Sequence, residues 1–182
     1  MPLEADSAPD FQSPLQLLRA CHQRIERFAD LAVRIAEHLP GDDPPAEPVR
    51  QSAGQVLRYF DQAAPLHHAD EEEDLLPRLR GRLVAEPDPD LSALLDGLKA
   101  EHAGLENHWG TLRPLLDDLR EGEPVEAARY RASAEAFRDA QLDHLQRENA
   151  HLLPAAEATL REEDIRDLGA AMAQRRGVRQ NI

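Results

Sequence analysis

The feature that most constrains the fold is a motif of eleven residues that occurs twice in the chain. One copy, beginning at His67, reads HHADEEEDLLP, and the other, beginning at His144, reads HLQRENAHLLP. Aligning the two LLP ends superposes the two histidines and places Glu71 on Glu148, whereas most of the acidic residues between them do not repeat. Residues four apart lie on one face of a helix. The repeat therefore predicts two helices that each present an imidazole and a carboxylate on the same face.

Apolar composition and chain breakers predict that the chain is helical. Apolar residues make up 41% of the sequence but aromatic residues only 4%, so leucine and alanine dominate, which favours helices over strands. Breaker-rich stretches separate segments in which apolar residues recur at helical spacing. The four predicted helices cover about 13–39, 49–84, 90–120 and 124–160. Four long helices with short connections predict an all-α, up-down-up-down four-helix bundle.

Prolines and the two chain ends modify this simple scheme. Because proline cannot donate a backbone hydrogen bond, we expect a kink or short break at Pro65, Pro77 and Pro154. The sequence is divided into three parts, the second being the bundle. These parts are a flexible N-terminal arm over 1–12, the bundle over 13–160, and a third part over 161–182 that comprises a short extra helix at about 163–175 and a basic tail.

Charge and cysteine content exclude several classes of partner. The formal net charge of −14 repels nucleic acid and anionic membranes, so neither is expected as a partner. The lone Cys21 cannot form an internal disulfide and suits a reducing compartment. The sequence shows no apolar run near 18 residues and no signal peptide. These features predict a soluble, cytoplasmic protein.

Histidines on the other two predicted helices complete a possible metal site. His22 lies on the first helix and His102 on the third, and a rise of about 1.5 Å per residue places them level with His67 and His144. A single histidine on an apolar face is more often a core residue bonded to a neighbour than a ligand. That alternative does not explain four level histidines with two glutamates, because burying unpaired carboxylates costs several kcal/mol each. The pattern therefore predicts a metal site.

These residues resemble the hemerythrin-like HHE cation-binding domain family over about residues 13–160. The resemblance rests on a histidine on helix one, HxxxE followed by LLP on helix two, a histidine on helix three, and HxxxE with LLP on helix four. It implies a four-helix bundle that holds two non-haem iron ions joined by an oxo or hydroxo group. The implied terminal ligands are His22, His67, His102 and His144. The implied bridging carboxylates are Glu71 and Glu148.

The sequence departs from oxygen-carrying hemerythrins at two positions. Those proteins have HxxxH on helix three and an aspartate five residues after the histidine of helix four, where this chain has Glu106 and Asn149. Glu106 is interpreted either as a third carboxylate ligand, or as a base behind the ligands, or as an exposed surface residue. Having one histidine fewer makes the chain more similar to bacterial hemerythrin-like proteins that handle nitric oxide, peroxide or iron than to oxygen carriers.

The other acidic and histidine residues of the first copy are interpreted as supporting groups. His68 and Glu72 are also four apart but are rotated by about 100° from the main pair, which places them behind the ligands or on the outer face. Asp70, Glu72 and Glu73 are expected to be solvated.

Three functional hypotheses follow from the predicted centre. The first is a redox or stress protein that binds or reduces O2, nitric oxide or peroxide, and whether it turns over as an enzyme is left open. The second is an oxygen-binding or oxygen-sensing module, and the third is an iron store or a structural metal site. Zinc suits the same ligand types. A ferritin-like fold is a weaker alternative, because it requires two ExxH motifs and only Glu148 to His151 matches.

Overall fold

The computed structural model describes residues 10–41 and 43–178, and within them every regular element is helical. The α-helices are α1 Pro14–Ile35, α2 Glu47–Arg58, α3 Ala64–Ala69, α4 Leu76–Leu83, α5 Pro89–Glu121, α6 Ala127–Arg147, α7 Leu153–Thr159 and α8 Glu162–Arg175. Three π-helical turns join some of these without a gap, at Tyr59–Ala63, Asp70–Leu75 and Glu148–Leu152. The all-α prediction is confirmed.

The helices form four long rods that pack as a closed bundle. α1 is the first rod, α2 to α4 the second, α5 the third, and α6 with α7 the fourth. α1 packs against α2 and α6, and α5 packs against the same two helices. Neighbouring rods are antiparallel: Arg19 near the start of α1 pairs with Glu157 near the end of the fourth rod, and Arg80 near the end of the second rod pairs with Asp96 near the start of α5. The predicted up-down-up-down arrangement is therefore correct.

The expected proline interruptions take the form of π turns. Pro65, Pro77 and Pro154 each lie at the start of an α-helical segment that directly follows a π turn. A proline ring clashes with the carbonyl four residues earlier in a regular helix, and a turn widened by one residue relieves that clash. Pro114 lies inside α5, which continues without such a turn. Two of the three π turns carry the repeated glutamates.

The helix ends follow ordinary capping chemistry. Asp88 caps α5, because its carboxylate accepts hydrogen bonds from the backbone N–H groups of Asp90 and Leu91. Gly122 ends α5 in the left-handed conformation, with φ of 93°, which glycine adopts without a steric penalty. Glu126 caps α6 in the same way as Asp88, so the fourth rod begins a few residues later than the start predicted at Pro124.

Two apolar clusters lie along the bundle axis, one on each side of a polar layer. The first is rich in aromatic residues and includes Phe60, Tyr130 and Phe137. The second consists mainly of leucines and includes Leu18 and Leu152. α8 packs against the leucine cluster, and it is the extra helix that was expected at about 163–175.

The residues next to the termini pack against α8. The carbonyl of Phe11 approaches Gly169 so closely that a Cβ atom there would lie 1.9 Å from it. The end of the predicted N-terminal arm is therefore docked, while residues 1–9 of that arm and residues 179–182 of the basic tail lie outside the described residues. None of the helices described is both long and apolar enough to cross a bilayer.

Candidate metal centre

The four predicted histidines meet in the polar layer between the two apolar clusters. His22, His67, His102 and His144 are each no more than 2% exposed. The rings of His22 and His67 lie 5.0 Å apart at their centroids, and those of His102 and His144 lie 4.8 Å apart. Each rod contributes one histidine, and the rings form two pairs side by side.

The carboxylate of Glu71 lies between the two pairs. Its Oε1 is 3.7 Å from Nε2 of His22 and 3.5 Å from Nε2 of His67, while its Oε2 is 3.6 Å from Nε2 of His102. Glu71 is the second residue of a π turn and is completely buried. One oxygen therefore faces each pair of histidines.

Glu148 repeats this arrangement from the opposite rod. Its Oε2 is 3.4 Å from Nε2 of His22, and its Oε1 is 3.1 Å from Nε2 of His144 and 3.9 Å from that of His102. Glu148 opens its own π turn and is also completely buried. Both glutamates are therefore shared, so that two overlapping groups of four ligands arise. These groups are His22, His67, Glu71 and Glu148, and Glu71, His102, His144 and Glu148, with donor atoms within 4.8 Å of one another in each group.

Unpaired buried atoms show that this layer fits metal ions. Both oxygens of Glu71 and of Glu148 lack a hydrogen-bond partner among the described residues, as does Nε2 of His22 and of His67. Unpaired polar atoms are rare in protein interiors because each one costs about 1–3 kcal/mol. Imidazole nitrogens and carboxylate oxygens are ligands for iron and zinc. Cations in the two groups would satisfy every one of these atoms.

Acceptors behind three of the rings direct their other nitrogens into the layer. The pairs are His22 Nδ1 with Asn149 Oδ1 at 2.8 Å, His102 Nδ1 with Glu72 Oε1 at 2.6 Å, and His144 Nδ1 with Glu101 Oε2 at 2.8 Å. Because the partners accept, each ring donates from Nδ1 and keeps the lone pair on Nε2 for a metal. The Nδ1 of His67 has no partner among the described residues.

Burial and neighbouring charges shift the pKa values of Glu71 and Glu148 in opposite directions. Burial raises the pKa of Glu71 well above its ordinary value, and the negative charge of Glu148 raises it further. Burial also opposes ionisation of Glu148, but the adjacent imidazoles of His102 and His144 outweigh it and hold the pKa of this carboxyl well below its ordinary value. Without metal, Glu71 is therefore the protonated member and Glu148 the ionised one.

The acidic run beside Glu71 is less solvated than the sequence suggested. Asp70 is completely buried: Arg175 Nη1 lies 2.5 Å from its Oδ1, and Arg176 Nη2 lies 2.6 Å from its Oδ2. Glu72 bonds to a histidine of the layer, and only Glu73 is exposed. The expectation that all three acids are solvated was wrong for Asp70, because it pairs with the last residue of α8 and the residue after it, which are far away in sequence.

The interpretation of Glu106 as a metal ligand is not supported by its position. Glu106 is exposed and belongs to neither ligand group. Leu105 is the buried residue at this level of α5, and Glu106, the next residue, is rotated by about 100° from it around the helix axis. Glu106 instead lines a surface cavity of about 270 Å³. His68 lines the same cavity and stacks on His102 at 4.2 Å, so it lies behind the ligands as expected.

Comparison with known proteins agrees with this geometry. The model of the hemerythrin HHE cation-binding domain family matches residues 13–156. An uncharacterized protein of Haemophilus influenzae is 31% identical over 117 residues, which cover 64% of this chain and 64% of the relative. The family match spans all four rods and both carboxylate-bearing π turns. The chain therefore belongs to the hemerythrin HHE cation-binding domain family.

Proposed function

We propose that the chain holds two iron ions in the polar layer and there binds or reacts with a small ligand such as O2, nitric oxide or peroxide. One iron would be held by His22 and His67, and the other by His102 and His144. Glu71 and Glu148 would bridge the two ions, with an oxo or hydroxo group as a third bridge.

The observation that carries this proposal is the sharing of both carboxylates. Each glutamate directs one oxygen to each pair of histidines, at 3.1 to 3.6 Å from the nearest imidazole nitrogen. A single metal ion would need only one of the two groups and would leave the other pair of buried histidines without a partner. Two ferrous ions carry four positive charges, of which the two carboxylates neutralise two. An oxo bridge would neutralise the remaining two charges, and a hydroxo bridge one of them.

The number of protein ligands supports ligand binding rather than a purely structural role. The chain offers each ion two imidazole nitrogens and two carboxylate oxygens, which would close a four-coordinate structural zinc site but would leave positions open on a six-coordinate iron. Non-haem iron sites that leave positions open are typical of proteins that react with oxygen species. Ferrous iron bound there would supply electrons to a small oxidising ligand. The residues of the chain orient the imidazoles, exclude bulk water through the two apolar clusters, and hold the proton of Glu71 before metal enters.

The proposal is tested by the iron content of protein prepared without chelators and reloaded anaerobically with ferrous ion. We expect about two irons per chain in the unaltered protein and in His38→Ala, because His38 is exposed and distant from the layer. We expect His67→Ala and Glu148→Ala to lose two-iron binding. Equal iron content in all four proteins would refute the ligand assignment, and bound zinc without iron would refute the redox function. Titration of the loaded protein with O2, nitric oxide and peroxide then identifies the ligand.

A further inference from the structure

A cavity of about 270 Å³ opens beside the polar layer, between the second, third and fourth rods. The name "Trp109 pocket" is used here for this cavity. The residues that matter for its chemistry are Phe60, His68, Glu72, Glu106, Trp109 and Gln141. The cavity is much larger than O2 or nitric oxide, since a water molecule occupies only about 30 Å³. Its size therefore suits a small organic molecule.

One wall of the Trp109 pocket carries a buried acceptor without a partner. Gln141 is only 3% exposed, and its Oε1 has no hydrogen bond to any described residue. A buried amide oxygen left unpaired costs about 1–3 kcal/mol, so a ligand that donates a hydrogen bond there removes a penalty already present in the fold. Trp109 Nε1, a donor on the same wall, is engaged with Asp61 Oδ1 at 3.1 Å.

The charge of the Trp109 pocket is negative. Glu72, Glu73 and Glu106 line it, and none of the lining residues is lysine or arginine. Glu72 is bonded to His102, and Glu73 is paired with Arg175. Glu106 has no ion pair with another described residue, so its charge is available to a ligand. An anionic ligand would meet this carboxylate without compensation, whereas a cation would be attracted by it.

Aromatic rings form the apolar part of the same pocket. Phe60 and Trp109 lie 5.2 Å apart at their ring centroids with an interplanar angle of 41°. Indole and phenyl faces attract cations and also bury apolar groups. The bond from Trp109 to Asp61 holds the indole in place. The pocket thus combines an acceptor, a carboxylate and two aromatic rings around one space.

We propose that the Trp109 pocket binds a small organic cation, namely a protonated primary amine attached to an apolar group. Glu106 matches the charge of the ammonium, and the apolar group packs against Phe60 and Trp109. The Gln141 amide, whose Oε1 is closed to solvent in the free protein, turns towards the cavity and accepts a hydrogen bond from the ammonium. This site uses none of the residues assigned to the metal ions, so it does not depend on iron being bound. Its ligand lies against His68, whose ring stacks on His102.

The experiment uses the fluorescence of Trp109, the only tryptophan in the chain. Benzylamine is titrated into the metal-free and the iron-loaded protein at constant ionic strength, with benzyl alcohol and benzoate as neutral and anionic analogues. We expect a saturable change with benzylamine alone in both forms. Saturation by benzyl alcohol or benzoate at the same concentrations, or no saturable change with benzylamine, would overturn the proposal.

Two variants test the polar contacts directly. We expect Glu106→Gln and Gln141→Leu each to weaken benzylamine binding by about tenfold, because each removes one interaction with the ammonium. Glu123→Gln, an equal loss of charge at an exposed turn, should leave the affinity unchanged. Circular dichroism of the helices checks that each variant folds. Because Glu106 is exposed, Glu106→Gln is expected to fold, and it still tests the proposal if Gln141→Leu does not fold. Unchanged affinity in Glu106→Gln would overturn the proposal.

The outcomes separate this site from the proposed iron function. Benzylamine binding by protein that takes up no iron would refute the iron centre and leave the amine site standing. Iron binding without benzylamine binding would refute the amine site and leave the iron centre standing.

Discussion

Replacing Arg175 and Arg176 together with alanine should destabilise the bundle and loosen its metal layer. Arg175 and Arg176 place three guanidinium nitrogens within 3.0 Å of the carboxylate of Asp70. Asp70 is 0% exposed, so the double variant leaves a buried carboxylate without a counter-charge. Removing one side of a buried ion pair costs about 3–5 kcal/mol. The arginines are 17% and 20% exposed, which places the expected loss near the lower end of that range.

The position of Asp70 connects this loss of stability to the metal site. Asp70 begins the π turn whose next residue is Glu71, and Arg175 also pairs with Asp74 at the other end of the same turn, at 2.6 Å. The two arginines at the end of α8 and directly after it therefore hold the segment that directs the Glu71 carboxylate. We expect the double variant to bind iron less completely as well as to unfold more easily.

The assay is urea unfolding of the metal-free protein, followed by helical circular dichroism, together with iron content after loading. Arg166→Ala, which removes an exposed arginine from the same helix, should change the free energy of unfolding by no more than about 0.5 kcal/mol. Adding Asp70→Asn to the double variant should restore part of the loss, because the penalty comes from the uncompensated charge. The reasoning is refuted if the double variant is as stable as Arg166→Ala, or if Asp70→Asn restores nothing.

Three further predictions concern the proton, the ring partners and the docked terminus. Since a metal must displace the proton of Glu71, ferrous binding should release a proton and should weaken as the pH falls. Calorimetry of ferrous binding in buffers of different ionisation enthalpy checks this, and equal binding heats in all buffers would contradict it. Asn149→Ala should lower iron affinity about 10–100-fold, as read by competition with a chelator, whereas exposed Asn107→Ala should not. Gly169→Ala should destabilise the fold by about 1–3 kcal/mol in thermal unfolding because its Cβ meets a backbone carbonyl. Gly97→Ala has open space on a helix surface and should instead stabilise by about 0.5–1 kcal/mol.

The meeting of four histidines and two glutamates in one layer could be predicted from the sequence because each part of the pattern is local. A histidine and a glutamate four residues apart share a helix face whatever surrounds the helix. The constant rise of a helix then fixes the height of His22 and His102 relative to the repeated motifs. Neither step requires knowledge of how the rods contact one another.

The groups that support the ligands could not be predicted, because they depend on contacts between rods and on irregular turns. Glu101 and Asn149 resemble ordinary surface residues in the sequence, yet each bonds to a ring from another rod. The π turn over Asp70–Leu75 also adds a residue to the helical turn. It thereby changes which members of the acidic run face inward, and a regular period of 3.6 residues cannot assign them.

The supporting groups differ between the two halves of the layer, although the ligands repeat. His102 and His144 both donate to carboxylates, those of Glu72 and Glu101. On the other side, His22 donates to a neutral amide, and His67 has no acceptor among the described residues. A carboxylate behind an imidazole makes it a stronger donor to a metal and fixes its orientation. The two groups of candidate ligands are therefore chemically unequal.

This inequality predicts the order in which the positions fill. The position of His102 and His144 should take the first equivalent of metal, and that of His22 and His67 the second, at an affinity lower by about tenfold or more. Ferrous or cobaltous titration of the metal-free protein should then show two binding steps. His102→Ala should remove the tighter step, whereas His22→Ala should remove the weaker one and leave the tighter one in place. Loss of the same step in both variants would show that the backing carboxylates do not determine the order of filling.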